Sequence, residues 1–191
     1  MFEPGKIVKE FETKDGKGAV IRYPTWEDVD DLLMFVNEII REDTFVGLSG
    51  EEYTREDEED FLLDAIKKIQ AGDKVLLFCF VDGEFAGNTR VERKDVRFTR
   101  FRHVGIFGIT LRAKFRGQGV GRVLMETVIR ESQKEIKGLR MLELKCFGTN
   151  TAGLTLYEKL GFKECGRLPG AILHKGEYVD NVTMYLDLLP S

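Results

Sequence analysis

The chemistry of this chain is most legible in one segment, Arg116-Gly-Gln-Gly-Val-Gly-Arg122. Gly117, Gly119 and Gly121 let bare backbone amides come close to an anion. A helix predicted over residues 120–137 follows at once, and its unpaired N–H groups and positive dipole end face the same point. The segment reads as a phosphate cradle. Arg116 and Arg122 flank it and Arg112 and Lys114 precede it, which supplies mobile cationic heads behind the fixed partial charge.

Spacing decides among phosphate ligands. A nucleotide P-loop requires Lys and then Ser or Thr directly after its glycines, and no such pair follows here. A dinucleotide fingerprint requires G-x-G-x-x-G in a βαβ unit, with an acid about 20 residues further on. The pattern here is G-x-G-x-G, and the N-terminal half of the chain reads as hairpin, helices and hairpin. Read from Arg116, the residues give Arg-x-x-Gly-x-Gly, which resembles the pyrophosphate-binding signature of the GNAT superfamily of acyl-CoA N-acyltransferases. A β-type run over residues 140–147 then leads into Asn150-Thr-Ala-Gly-Leu-Thr-Leu-Tyr157-Glu-Lys-Leu-Gly161-Phe162. This is similar to the second GNAT motif, Asn-x-x-Ala-x-x-Leu-Tyr-x-x-x-Gly-Phe. Here Ala152 comes one place early and Gly153 occupies the usual alanine position. The resemblance covers residues 74–188, and more loosely the chain from residue 19.

The resemblance implies acetyl-CoA as cosubstrate and transfer of its acetyl group to a primary amine by direct attack. The amine belongs to a small molecule, an amino acid or a peptide or protein N-terminus. Arg116, Gly117, Gln118, Gly119, Val120, Gly121 and Arg122 are expected to bind the diphosphate. The backbone of Ile109, Thr110 and Leu111 is expected to bind the pantetheine arm where two central strands splay apart. Asn150 either caps its helix or holds a ligand amide. Tyr157 is expected to touch the cofactor and protonate the departing thiolate, since a phenol on the buried side of a helix must find a partner. Related sequences often carry a Glu on the strand before the cradle, whereas Ile106 and Phe107 stand here. The base that takes the amine proton is therefore sought among Glu38, with Glu42 and Asp43 nearby, and Glu143. Cys146 has no His close in sequence to activate it as a nucleophile. The competing reading is a GNAT module that binds or senses acyl-CoA without turnover.

Around these motifs the elements follow from periodicity and turn signals. Residues 6–13 and 19–23 bracket Lys14-Asp-Gly-Lys-Gly18, a hairpin signal. Pro24 and Thr25 open a helix whose stripe is Val29, Leu32, Leu33, Val36 and Ile40. Thr54-x-x-Asp57 resembles a capping box and opens a second helix that buries Phe61, Leu62, Ala65, Ile66 and Ile69. Residues 74–81 and 84–93 form a hairpin about Asp82-Gly83, and strands follow at 103–111, 140–147, 162–167 and 178–186. The order resembles the GNAT architecture, an α/β (α+β) fold with a mixed central sheet flanked by helices and an extra N-terminal strand. A single domain over 1–191 is expected, with 1–18 as the extension and 19–188 as the core.

Composition narrows the partners. The chain has 191 residues, 42% of them hydrophobic, and a net charge of −4 without a dense basic stretch, which argues against nucleic acid. Acids at 51, 52 and 56–60 would attract a cationic acceptor, although first-turn acids are also favoured by the helix dipole alone. No metal site is expected: the three cysteines, Cys79, Cys146 and Cys165, are scattered without C-x-x-C spacing and read as reduced thiols of a cytoplasmic protein. No apolar run is long enough for a membrane span. A homodimer is among the assemblies the chain admits.

Overall fold

The computed structural model describes residues 3–47 and 50–189. Its strands form an eight-stranded mixed sheet, and four α-helices accompany them, so the mixed α/β class holds. The chain gathers into two compact units. One comprises the chain up to Glu92 together with Gly108–Lys137, and the other comprises Arg93–Phe107 with the chain from Gly138 onward.

The first unit opens with the antiparallel strands β1 (Ile7–Glu12) and β2 (Gly18–Arg22). Helices α1 (Val29–Glu42) and α2 (Arg55–Gln70) follow, then β3 (Lys74–Val81) and β4 (Glu84–Arg93). The second hairpin forms as expected. Asp82 and Gly83 both have positive φ, 48° and 81°, the requirement of a two-residue turn that matches strand twist. Strand β3 is buried along nearly its whole length, and Phe35, Phe78 and Phe80 surround Phe85 at ring separations of 5.1, 5.0 and 5.3 Å. The Thr54–Asp57 capping box is present, with Thr54 N–H donating to Asp57 at 2.7 Å.

The helical stretch opens after Thr25 as expected, with Thr25 as N-cap, but its first turn, Trp26–Asp28, is 3-10 and α1 itself begins at Val29. Asp28 accepts from Arg22 at 2.8 and 2.6 Å and from the Thr25 N–H at 2.7 Å, which ties the turn back to β2. The unit is completed by the end of β5 (Val104–Leu111) and by α3 (Val120–Glu135).

In the second unit the start of β5 pairs in parallel with β6 (Met141–Phe147) through three rungs, ending at Ile106↔Glu143. Helix α4 (Thr151–Lys159) leads to β7 (Lys163–His174) and β8 (Glu177–Asp187), and β8 lies antiparallel to both β6 and β7. Strand β7 outruns the expected end at residue 167. Pro169 and Gly170 read as a stop in sequence, but β7 is the last strand of the sheet, and its register shifts between Leu168 and Ile172 absorb them. An edge strand tolerates the missing proline N–H and a bulge tolerates the glycine. No helix among the described residues is long and apolar enough to cross a membrane.

Helix α2 also corrects the view of its first-turn acids. Glu58 is only 3% exposed and heads the buried stripe Leu62, Ala65 and Ile69. Burial, with a contribution from Asp57, pushes its carboxyl up to about 7. Because folding favours the protonated form, this carboxylate is a cost that is absent well below the ordinary carboxylate range and grows as pH rises toward 7. Glu58→Gln should therefore stabilise the protein by about 1–2 kcal/mol at pH 8, discounted for water at the helix end, and leave it unchanged near pH 4. Chemical denaturation at the two pH values measures the difference.

Candidate active site

The cradle is built by the turn between β5 and α3. Gly117 and Gly119 adopt φ of 77° and 88°, and Gly119 is the N-cap of α3. These left-handed residues turn successive N–H groups to one side. Among the described residues, the N–H groups of Gly117 through Arg122 meet no protein acceptor, and the helix's own pattern resumes with Val123 N–H donating to the Gly119 carbonyl at 3.3 Å. A Cβ at Gly117 would meet nothing within 4 Å, so the turn is open on that side. A run of unsatisfied donors at the positive end of a helix, beside open space, fits a diphosphate.

The flanking cations are paired with acids rather than free, which corrects the expectation for them. Arg116 donates from Nε and Nη2 to the Leu111 carbonyl at 3.0 and 2.7 Å and pairs with Glu42 through two nitrogens, Nη2–Oε2 being 2.8 Å. Arg122 pairs with Glu126 one turn along α3 at 2.8 Å. Arg112 Nη1 donates to Glu84 at 3.1 Å and to the Phe85 carbonyl at 2.9 Å, and Lys114 also pairs with Glu84. Each of these four cations thus has an acid within reach, whereas the backbone N–H groups beside them stand uncompensated.

Leu111 offers its carbonyl to Arg116 and so cannot offer the same group freely to a ligand. The end of β5 is held on its other side by Gly87, a residue sequence reading passed over. Gly87 has φ 151°, and a Cβ there would collide with the Thr110 carbonyl and stand 2.9 Å from the Leu111 Cα. A glycine inside a strand pattern was the available signal. Ile109 and Thr110 lie in this same final stretch of β5.

In the second unit Asn150 caps α4, its side-chain oxygen accepting from the Gly153 N–H at 3.0 Å. Between its two readings the structure therefore supports the cap. Tyr157 packs edge-on to Phe107 at 6.2 Å and against Phe162 at 6.0 Å. Burial, with Cys146 close by, pushes its phenol well above the ordinary range, so it stays protonated at physiological pH. Burial also pushes the Cys146 thiol up to about 11, which leaves it protonated and unreactive.

The carboxylates considered as bases are ion-paired. Glu143 stands on the last rung of the β5–β6 ladder and pairs with Lys94 at 2.5 Å. In the first unit Glu38 Oε2 lies 3.0 Å from Arg112 Nε, a charge contact without hydrogen-bond alignment. Glu38 and Arg112 line a depression of about 700 Å³ together with Met34, Arg41 and Glu84. Three acids of the 51–60 region are engaged: Glu52 with Arg41 at 3.1 Å, Glu59 with Arg55 at 2.8 Å, and Asp57 in the cap of α2. Glu51, Glu56 and Asp60 are exposed.

The family model for the acetyltransferase (GNAT) family matches residues 26–162. The chain belongs to this family. It is 31% identical over 109 residues to the L-amino acid N-acetyltransferase AaaT of Escherichia coli, a match that spans 57% of this chain and 65% of that relative's length. Among solved structures, a GNAT-family acetyltransferase from Streptococcus pneumoniae superposes with a TM-score of 0.79 at 26% identity, over 90% of this chain and 99% of the other. The fold is also that of yncA from Salmonella typhimurium, solved with its cofactor acetyl-CoA, at a TM-score of 0.77 and 19% identity over 91% of this chain and 95% of the other.

Gly119→Ala tests the turn. The new Cβ would touch only the Lys14 stem, from 3.5 Å outward, so the penalty comes from the left-handed backbone and not from crowding. Denaturation should record a loss of about 1–2 kcal/mol.

Proposed function

We propose that this chain is a cytoplasmic N-acetyltransferase that uses acetyl-CoA to acetylate the α-amino group of an L-amino acid. The two compact units are taken to act as one catalytic domain. The observation that carries the reading is the row of unpartnered N–H groups from Gly117 to Arg122 at the head of α3, in a chain of the acetyltransferase family. The similarity to an L-amino acid N-acetyltransferase supports the choice of acceptor.

When bound, acetyl-CoA supplies the acyl thioester and a thiolate leaving group. The backbone of residues 117–122 holds the diphosphate, and the N–H of Ile109 orients the arm that follows, since strand alternation turns Thr110 toward β4 and Ile109 to the other edge. Tyr157 keeps its proton and donates it to the departing sulfur; its hydroxyl makes no hydrogen bond to another described residue, so nothing in the protein competes for that proton. Glu143 receives the proton that the acceptor ammonium must lose. It is preferred to Glu38 because it stands where the β5–β6 pairing stops, in the same unit as Tyr157. Lys94 holds its carboxylate in one orientation.

A second reading has one observation in its favour. Ile106 and Phe107 occupy the strand where relatives carry an acid, and the remaining candidate bases are ion-paired, as suits a module that binds acyl-CoA without turnover. Release of free thiol from acetyl-CoA with a panel of L-amino acids and peptides separates the two. Thiol release with free amino acids is expected. Binding of acetyl-CoA by calorimetry without release under any acceptor would favour the sensor, and release with peptides alone would move the acceptor to protein N-termini.

Tyr157→Phe should lower kcat by about 10- to 100-fold with little change in the Kd for acetyl-CoA. Steady-state kinetics paired with calorimetry measures both quantities, and an unchanged kcat would remove the acid role. Glu143→Gln should lower kcat by about 10-fold or more with little change in the Kd for acetyl-CoA. An unchanged kcat would remove Glu143 from the role of base.

A further inference from the structure

We propose that Lys14, delivered by the β1–β2 turn, is a further phosphate-binding residue of this chain. Its side chain adds a free positive charge to a cradle whose other cations are paired internally. The proposal rests on the coenzyme A reading of the cradle given above.

The turn is rigid for local reasons. Thr13 N–H donates to the Lys17 carbonyl at 2.9 Å, Gly16 N–H to the Thr13 carbonyl at 3.0 Å, and the Thr13 hydroxyl to Asp15 at 2.6 Å. Asp15 also pairs with Lys17 at 3.1 Å, so these two charges cancel and Lys14 is left as the turn's net charge. The backbone then sets Lys14 on the cradle: its N–H donates to the Gln118 carbonyl at 3.1 Å. Its Cγ, Cδ and Cε pass 3.5, 3.9 and 3.6 Å from the point where a Cβ on Gly119 would stand. The stem therefore runs along the N-cap of α3, and the ammonium at its end forms no ion pair or hydrogen bond among the described residues. A second group is also unmatched here. Gln118 donates through Nε2 to the Lys114 carbonyl at 2.9 Å, while its Oε1 is buried without a partner.

An unpaired ammonium and an orphaned acceptor, beside a row of unsatisfied N–H groups, make an incomplete site. An anion completes it: a phosphate draws the ammonium, whose three donors suffice for an anion and for Gln118 Oε1 together. By contrast Arg112, Lys114, Arg116 and Arg122 are held by Glu84, Glu42 and Glu126. Lys14 lies on the N-terminal hairpin, before the 26–162 stretch that the family model matches.

Coenzyme A offers two phosphate groups, the central diphosphate and the ribose 3′-phosphate, and calorimetry with coenzyme A and 3′-dephospho-coenzyme A at low ionic strength tells them apart. Lys14→Met keeps the stem packing and removes the charge. It is expected to weaken coenzyme A binding about three- to fivefold and to reduce its salt dependence, with Lys14→Arg restoring both. An equal loss toward both ligands assigns the contact to the diphosphate, and a loss toward coenzyme A alone assigns it to the 3′-phosphate. Unchanged affinity of Lys14→Met for both, with normal wild-type binding, overturns the proposal alone. Failure of the wild-type protein to bind either ligand overturns the coenzyme A reading and this contact with it. Thermal melting of the variants guards against a folding effect: a loss of affinity at unchanged melting temperature supports the contact, and one that Lys14→Arg does not restore counts against it.

Discussion

A helix cannot satisfy the N–H groups of its own first turn, and α3 adds to this deficit two left-handed glycines just before it. The row of donors from Gly117 to Arg122 is the constraint around which the neighbouring structure is arranged. Water can satisfy such donors, but only an anion gains from their common direction and from the helix dipole behind them. A turn of this kind holds its shape only if its flanks are fixed. Arg116 fastens it to the Leu111 carbonyl and to Glu42, and the Lys14 N–H fastens the Gln118 carbonyl to the first hairpin. Gly87 allows the end of β5, from which the turn departs, to lie close against β4.

The pairing of charges follows from the same requirement. Free arginines would draw anions but would sample many rotamers, and ordering them on binding costs conformational entropy. Glu84 pairs with Arg112 and Lys114, Glu42 with Arg116, and Glu126 with Arg122. The backbone dipoles of the turn need no such ordering, since the fold fixes them. The second unit treats Tyr157 in a parallel way. Phe107 and Phe162 pack against its ring, and burial keeps its phenol protonated.

Legibility in the sequence tracked the range of the interactions involved. The turn at Asp82-Gly83, the capping box at Thr54 and Asp57, and the Asn150 cap lie within four residues of their partners, and each formed as read. The 3-10 form of the turn after Thr25 was not legible, because Asp28 answers to Arg22 on the preceding strand as well as to its own helix. The end of β7 was misread because Pro169 and Gly170 are stops in an interior strand but not in an edge strand, and edge position is a property of the whole sheet. Glu58 shows the same limit: a first-turn acid is ordinarily solvated, and its burial depends on what the helix packs against.

From residue order alone came the family and the glycine turn before α3, because spaced glycines before a helix and a Gly-Phe stop after one are local patterns with local causes. Tertiary structure alone decided which charges near the cradle are paired. It joined Glu42 to Arg116, Glu84 to Arg112 and Lys114, and Lys14 to the Gln118–Gly119 turn, although these residues lie far apart along the chain. Coulomb attraction and hydrogen bonding act over a few ångströms of space, whatever the separation in sequence, and only the folded chain sets those distances.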